Sequence, residues 1–135
     1  MFRKITFSLV AITLFVACSP SGNATQTNNS TTAQTATINE VVDKATFAKL
    51  LEQDNIQLLD VRTPKEFALG SIDGATNINY FDESFQENLS KIVDPEKTIL
   101  VYCKAGSRSA QAAKVLAEMG CKTIYDLDGG YDKWK

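Results

Sequence analysis

Thr98-Ile99-Leu100-Val101-Tyr102-Cys103-Lys104-Ala105-Gly106-Ser107-Arg108 is the stretch that decides how this chain folds. Thr98 to Tyr102 is a near-continuous apolar run of strand length, as expected for a strand covered on both faces. Cys103 follows at once, Gly106 permits a tight turn, and a helical pattern begins near Ser107. On that pattern Ala112, Leu116 and Met119 share one face, while Gln111, Lys114 and Glu118 point away from it.

The same alternation extends in both directions. Gln57-Leu58-Leu59-Asp60-Val61 is a second apolar strand, and Ile124-Tyr125 and the stretch around Ile78 are weaker candidates. Phe47, Leu50 and Leu51 fall on one face of an earlier helix. Thr63-Pro64-Lys65-Glu66 is a helix start, with threonine at the cap, proline in the first turn and glutamate reaching back. Buried strands alternating with helices predict an α/β domain, a parallel sheet with helices on both faces and right-handed crossovers. Such sheets carry their sites at the carboxyl ends of the strands, and Cys103 stands at one.

A loop that wraps round and feeds a helix turns successive backbone N–H groups inward, which makes a nest for an anion. The helix N-terminus adds about half a positive charge, and Arg108 adds a full one. A thiol placed there is expected to ionise below its ordinary range. Cys103 is therefore the candidate nucleophile, with Lys104, Ala105, Gly106, Ser107 and Arg108 as the loop that holds its anion.

Composition narrows the chemistry. The 135 residues suffice for one domain with its own core. Lys and Arg number 14 against 16 Asp and Glu, a net charge of −2, and no basic stripe of the kind nucleic acid demands is present. The absence of histidine removes His-based triads and Cys–His dyads, and the three cysteines, Cys18, Cys103 and Cys121, are too scattered for a metal cluster. No metal and no cofactor is expected. Cys121 follows Gly120 at the end of the long helical pattern and opens the next strand, whereas Cys103 closes the preceding one. In a parallel sheet those positions lie at opposite ends, beyond disulfide reach, so Cys121 is expected to be a buried small residue.

Residues 1–18 read as an export signal: Arg3 and Lys4 precede an apolar stretch too short to span a bilayer, which ends in a small residue. Leu14-Phe15-Val16-Ala17-Cys18 resembles a bacterial lipobox, which implies cleavage before Cys18, its lipidation, and a membrane-anchored protein of the cell envelope. Residues 19–36 contain no charge and few apolar groups beyond alanine, so they are expected to be a disordered polar linker. As a flexible coil this segment would separate its ends by roughly 25 Å. The folded domain is expected over 37–135.

Three separated stretches together resemble a rhodanese domain. They are Leu58-Leu59-Asp60-Val61-Arg62-Thr63-Pro64-Lys65-Glu66-Phe67 with Gly70-Ser71-Ile72-Asp73-Gly74-Ala75, the loop Cys103 to Arg108, and Leu127-Asp128-Gly129-Gly130-Tyr131-Asp132-Lys133-Trp134. The resemblance implies a central parallel five-stranded sheet and a sulfurtransferase. A thiolate takes the sulfane sulfur of thiosulfate or a similar donor, becomes a persulfide, and passes the sulfur to cyanide or a thiol, with a protein acceptor among the partners. No histidine base is needed. Carried across, Cys103 is the nucleophile, the amides of Lys104 to Arg108 stabilise the persulfide, Asp60 and Arg62 brace the loop, and Lys104 and Arg108 steer an anionic donor. Family members often carry histidine and proline where this chain has Ser71 and Asp73. Gly129-Gly130 reads as a turn and Trp134 as a seal on the core.

Two other functions compete. Related domains with a cysteine-to-arginine loop act on oxyanions as phosphatases or arsenate reductases, typically with one more loop residue. The six residues from Cys103 to Arg108 favour sulfur. The alternative is a non-catalytic domain that carries or senses sulfur for a partner.

Overall fold

The computed structural model describes residues 37–135. The expected export signal, with Cys18 as its lipidation site, and the expected linker over 19–36 lie outside the described residues.

The elements run β1 (Ile38–Val42), α1 (Lys44–Leu51), β2 (Ile56–Asp60), α2 (Pro64–Ala68), β3 (Thr76–Asn77), α3 (Phe85–Ile92), β4 (Thr98–Tyr102), α4 (Ser107–Glu118), β5 (Thr123–Leu127) and α5 (Gly130–Trp134). The strands form one five-stranded sheet in the order β1-β5-β4-β2-β3, parallel at every pairing. From β2 the chain moves outward to β3, and from β4 it moves the other way to β5. The direction therefore reverses between β2 and β4, and the carboxyl ends of these neighbours flank the crevice such a reversal opens. Cys103 and Arg62 both lie there.

Side-chain alternation explains the unbroken apolar run of β4. Ile99, Val101 and Cys103 point into a core shared with Phe85 and Leu89 of α3 and Ala112 and Leu116 of α4. Leu100 and Tyr102 point into the opposite core, with Phe47 of α1, Leu127 and the partly buried Trp134 of α5. Both faces of the strand are thus covered, as the sequence predicts. Trp134 meets Phe47 edge-on with ring centroids 6.1 Å apart, in the sealing position expected for it. Cys103 and Cys121 are both buried and both free.

Local signals set the helix starts. Thr63 caps α2: Glu66 N–H donates to Thr63 Oγ1 at 3.3 Å, and Thr63 N–H donates back to Glu66 Oε2 at 2.9 Å. Asp43 caps α1 by accepting from Thr46 N–H at 2.8 Å. The start of α4 is different: Gly106, at φ +103°, occupies the cap position in a left-handed conformation and offers no side chain. That turn aims the following amides back at Cys103.

Candidate active site

Cys103 leaves β4 and its sulfur lies inside the turn that follows. Gly106 N–H donates to Cys103 Sγ at 3.1 Å, and the Ser109 hydroxyl reaches it at 3.5 Å. Burial alone would push this thiol up. The Ser109 hydroxyl and the backbone N–H groups of Ser109, Gly106 and Ala105 outweigh it, so the thiol is held below its ordinary value of 9.0. The magnitudes agree with that sign: hydrogen bonds to a charged group contribute about 1.5–3 kcal/mol each, and several together match a desolvation penalty of several kcal/mol. The N-terminus of α4 adds a favourable dipole. The Cys103 side chain is wholly covered, so a reactant reaches the sulfur only by displacing part of that cover.

The loop's other residues divide by role. Lys104, Ala105 and Ser107 are exposed. Lys104 lines a cavity of about 290 Å³ with Arg62, Glu66, Leu69, Tyr131, Asp132 and Lys135. Cys103 is not among the lining residues, so this cavity is an antechamber beside the loop. Arg108 faces inward but is not a free cation. Its guanidinium donates to Glu66 through two nitrogens, each at 2.8 Å, and 42 residues separate the partners in sequence. This pair holds the Glu66 carboxyl far below its ordinary value of 4.5, with the Arg108 bond the largest cause. The Cys103 anion also attracts Arg108, less strongly than Glu66 does.

Asp60 and Arg62 form a buried ion pair at the end of β2, 2.6 Å apart, with Arg62 donating a further bond to Gly70 O at 2.7 Å. Asn77 of β3 fixes this corner by donating to the carbonyls of Asp60 and Arg62. The ion pair connects to the loop through a third residue. The Arg62 guanidinium lies 4.1 Å from the Tyr131 ring centroid, and Tyr131 N–H donates to Cys103 O at 2.8 Å. Asp132 N–H donates to Lys104 O at 3.0 Å. The start of α5 therefore clamps the loop's first peptide groups.

The turn expected at Gly129-Gly130 falls on Asp128-Gly129, because Gly130 already opens α5, and Gly130 has a task of its own. A Cβ on it would lie 2.5 Å from Cys103 O and 2.7 Å from the carbonyl carbon and oxygen of Lys104, so only glycine lets α5 approach this closely. The adjacent glycines are the sequence signal for that approach. Ser71 and Asp73 leave local packing intact: between them Ile72 is buried, and its N–H donates to the Tyr102 hydroxyl at 3.0 Å. Sequence reasoning missed Ser109 and Asp126. Ser109 is buried in the first turn of α4, and Asp126 is a carboxylic acid inside β5. An acidic residue within the run Thr123-Ile124-Tyr125-Asp126-Leu127 is the signal that could have found it.

Known proteins resemble this chain in sequence and fold. The model of the Rhodanese-like domain family matches residues 43–135. A thiosulfate sulfurtransferase, GlpE of Shewanella oneidensis, is 35% identical over 91 residues, covering 65% of this chain and 84% of that protein. The uncharacterized protein YqhL of Bacillus subtilis is 41% identical over 78 residues, covering 58% of this chain, and the chain spans 60% of YqhL. Among solved structures, a rhodanese-related protein from Thermoplasma volcanium superposes with a TM-score of 0.61 at 32% identity, covering 70% of this chain and 89% of that one. With the parallel five-stranded sheet and the cysteine loop at its reversal point, these matches establish that the chain belongs to the rhodanese-like domain family.

Proposed function

We propose that this protein is a sulfurtransferase that moves a sulfane sulfur from thiosulfate or a similar donor to a thiophilic acceptor through a persulfide on Cys103. The observation that carries the reading is the covered thiol, whose pKa is lowered by inward-facing N–H groups and a hydroxyl rather than by a neighbouring base. A nucleophile that needs only to be an anion, and whose product is also an anion, requires this and no proton acceptor.

The steps balance. The Cys103 thiolate attacks the outer sulfur of thiosulfate, a new S–S bond forms, and the bond to the sulfonate sulfur breaks as sulfite leaves with the electron pair. Cyanide or a thiolate then attacks the terminal persulfide sulfur, and Cys103 leaves as the thiolate it was. The same amides serve both anions in turn. Lys104 and Lys135 at the antechamber favour an anionic donor, whereas the Arg108 charge is already committed to Glu66.

Export and lipid anchoring at Cys18, with the domain tethered at a membrane surface, belong to this proposal and rest on the sequence of residues 1–36. Globomycin treatment of cells making the protein is expected to leave unprocessed precursor, and normal maturation would overturn the anchor. For the chemistry, incubation with thiosulfate is expected to add one sulfur atom to the intact mass, a gain lost in Cys103→Ser. Hydrolysis of an aryl phosphate without persulfide formation would instead identify an oxyanion enzyme.

A further inference from the structure

Cys103 is the one side chain that reacts in the chemistry above, yet a second buried titratable group lies close behind it. Asp126 is 3% exposed, and its Oδ1 has no hydrogen-bond partner among the described residues. A buried carboxyl oxygen without a donor costs stability and calls for a reason.

Register brings it to the nucleophile. Val101 of β4 pairs with Asp126 of β5. Side chains two apart share a face, so Asp126 lies on the face of Ile124, and its neighbour on β4 lies on the face of Cys103. Helix α4 covers that face. Its buried residues are Ser109, Ala112, Ala113 and Leu116, so Ser109 is the one hydroxyl among them. Ser109 Oγ is 3.5 Å from Cys103 Sγ and 3.1 Å from Gly106 O, and Ser109 opposes the effect of burial on the Asp126 carboxyl. A hydroxyl has one hydrogen to give.

We propose that Asp126 is a positioning residue for Cys103: it acts through the Ser109 hydroxyl and sets whether that hydroxyl's hydrogen caps the nucleophile. This rests on Cys103 being the nucleophile of the proposed sulfur transfer. When Asp126 carries a proton it makes no claim on that hydrogen, which stays with Cys103 Sγ and Gly106 O. When Asp126 is ionised it draws that hydrogen away and places a like charge behind the thiolate. Its titration falls where this matters, because burial pushes the carboxyl up to about 6, against smaller opposing bonds from Ser109 and the Leu127 amide. The groups that bear on it are few. Asp128, past the end of its own strand, pushes in the same direction as burial. β4 brings Cys103, β1 brings uncharged Val41 in register, and the buried residues of α4 are uncharged. Arg108 is paired with Glu66.

The test follows iodoacetamide alkylation of Cys103 by mass across pH in the full chain, in wild type, Asp126→Asn, Ser109→Ala and the double variant. The expected result is that Asp126→Asn lowers the alkylation midpoint by about one pH unit and leaves a single ionisation in the profile. Ser109→Ala raises the midpoint, and in its background Asp126→Asn produces a much smaller shift. A wild-type profile in Asp126→Asn, or the same shift with and without Ser109, overturns the proposal. A second measurement keeps Asp126 in place: its carboxyl ¹³C shift is expected to show a second inflection at the pH where Cys103 ionises, lost in Cys103→Ser, and a wild-type titration without that inflection refutes the coupling. Neither experiment uses a sulfur donor. A shifted alkylation profile in a protein that forms no persulfide would leave this coupling standing and remove the sulfurtransferase reading.

Discussion

Gly130→Ala isolates the contact that fixes the Cys103 backbone. Two costs separate cleanly. Gly130 has φ +60°, and Gly74, with φ +81°, provides a matched control because a Cβ there meets nothing within 4 Å. Holding alanine in this left-handed region costs about 1–2 kcal/mol at either site. Only at Gly130 does the new methyl also strike backbone, 2.5 Å from Cys103 O. Relief requires the loop and α5 to separate by several tenths of an ångström. That movement stretches the bonds from Tyr131 N–H to Cys103 O and from Asp132 N–H to Lys104 O, which stand at 2.8 and 3.0 Å. At about 1 kcal/mol per bond, Gly130→Ala is expected to lose about 3–4 kcal/mol in urea unfolding and Gly74→Ala about 1–2. Because the moved segment carries the sulfur, Cys103 alkylation at neutral pH should slow by roughly 10- to 100-fold in Gly130→Ala. It should remain near wild type in Gly74→Ala. Equal stability losses together with equal alkylation rates would refute the clamp.

Two further perturbations follow from the ion pairs. Arg62→Ala leaves Asp60 buried without its partner and removes the cation over Tyr131, so a loss of about 3–5 kcal/mol is expected in denaturant unfolding. A loss under about 1 kcal/mol would show that the pair behaves like a surface bridge. Glu66 has a folded-state pKa well below its ordinary value of 4.5, so its contribution is fully present above that value and disappears as pH falls below it. Glu66→Gln should therefore flatten the acid limb of the stability curve, and an unaltered limb would contradict the pairing with Arg108.

The parts of this fold legible in the sequence are those fixed by neighbours along the chain. β2 and β4 appear as apolar runs because both their faces are covered. The start of α2 is visible because Thr63, Pro64 and Glu66 satisfy its first amides locally. β1 escaped because it is an edge strand whose side chains are mostly exposed, with Val41 at 65%, and so carries no apolar pattern. The site divides in the same way. Cys103, the turn at Gly106 and the helix after it are contiguous and readable. The pairing of Arg108 with Glu66 joins residues 42 apart, so a charge read as free for a substrate is in fact neutralised. Asp60 and Arg62 connect to the loop through Tyr131, a relation set by the return of α5. Asp126 comes to Cys103 only through the register of β5 on β4. Each of these depends on tertiary proximity, to which periodicity and caps are blind.

The central claim is that Cys103 is a persulfide-forming nucleophile, and intact-mass measurement after incubation of the reduced protein with thiosulfate tests it most directly. The expected result is a gain of one sulfur atom located on the Cys103 peptide, reversed by cyanide and absent in Cys103→Ser. No gain in mass, or a gain that survives Cys103→Ser, would contradict it.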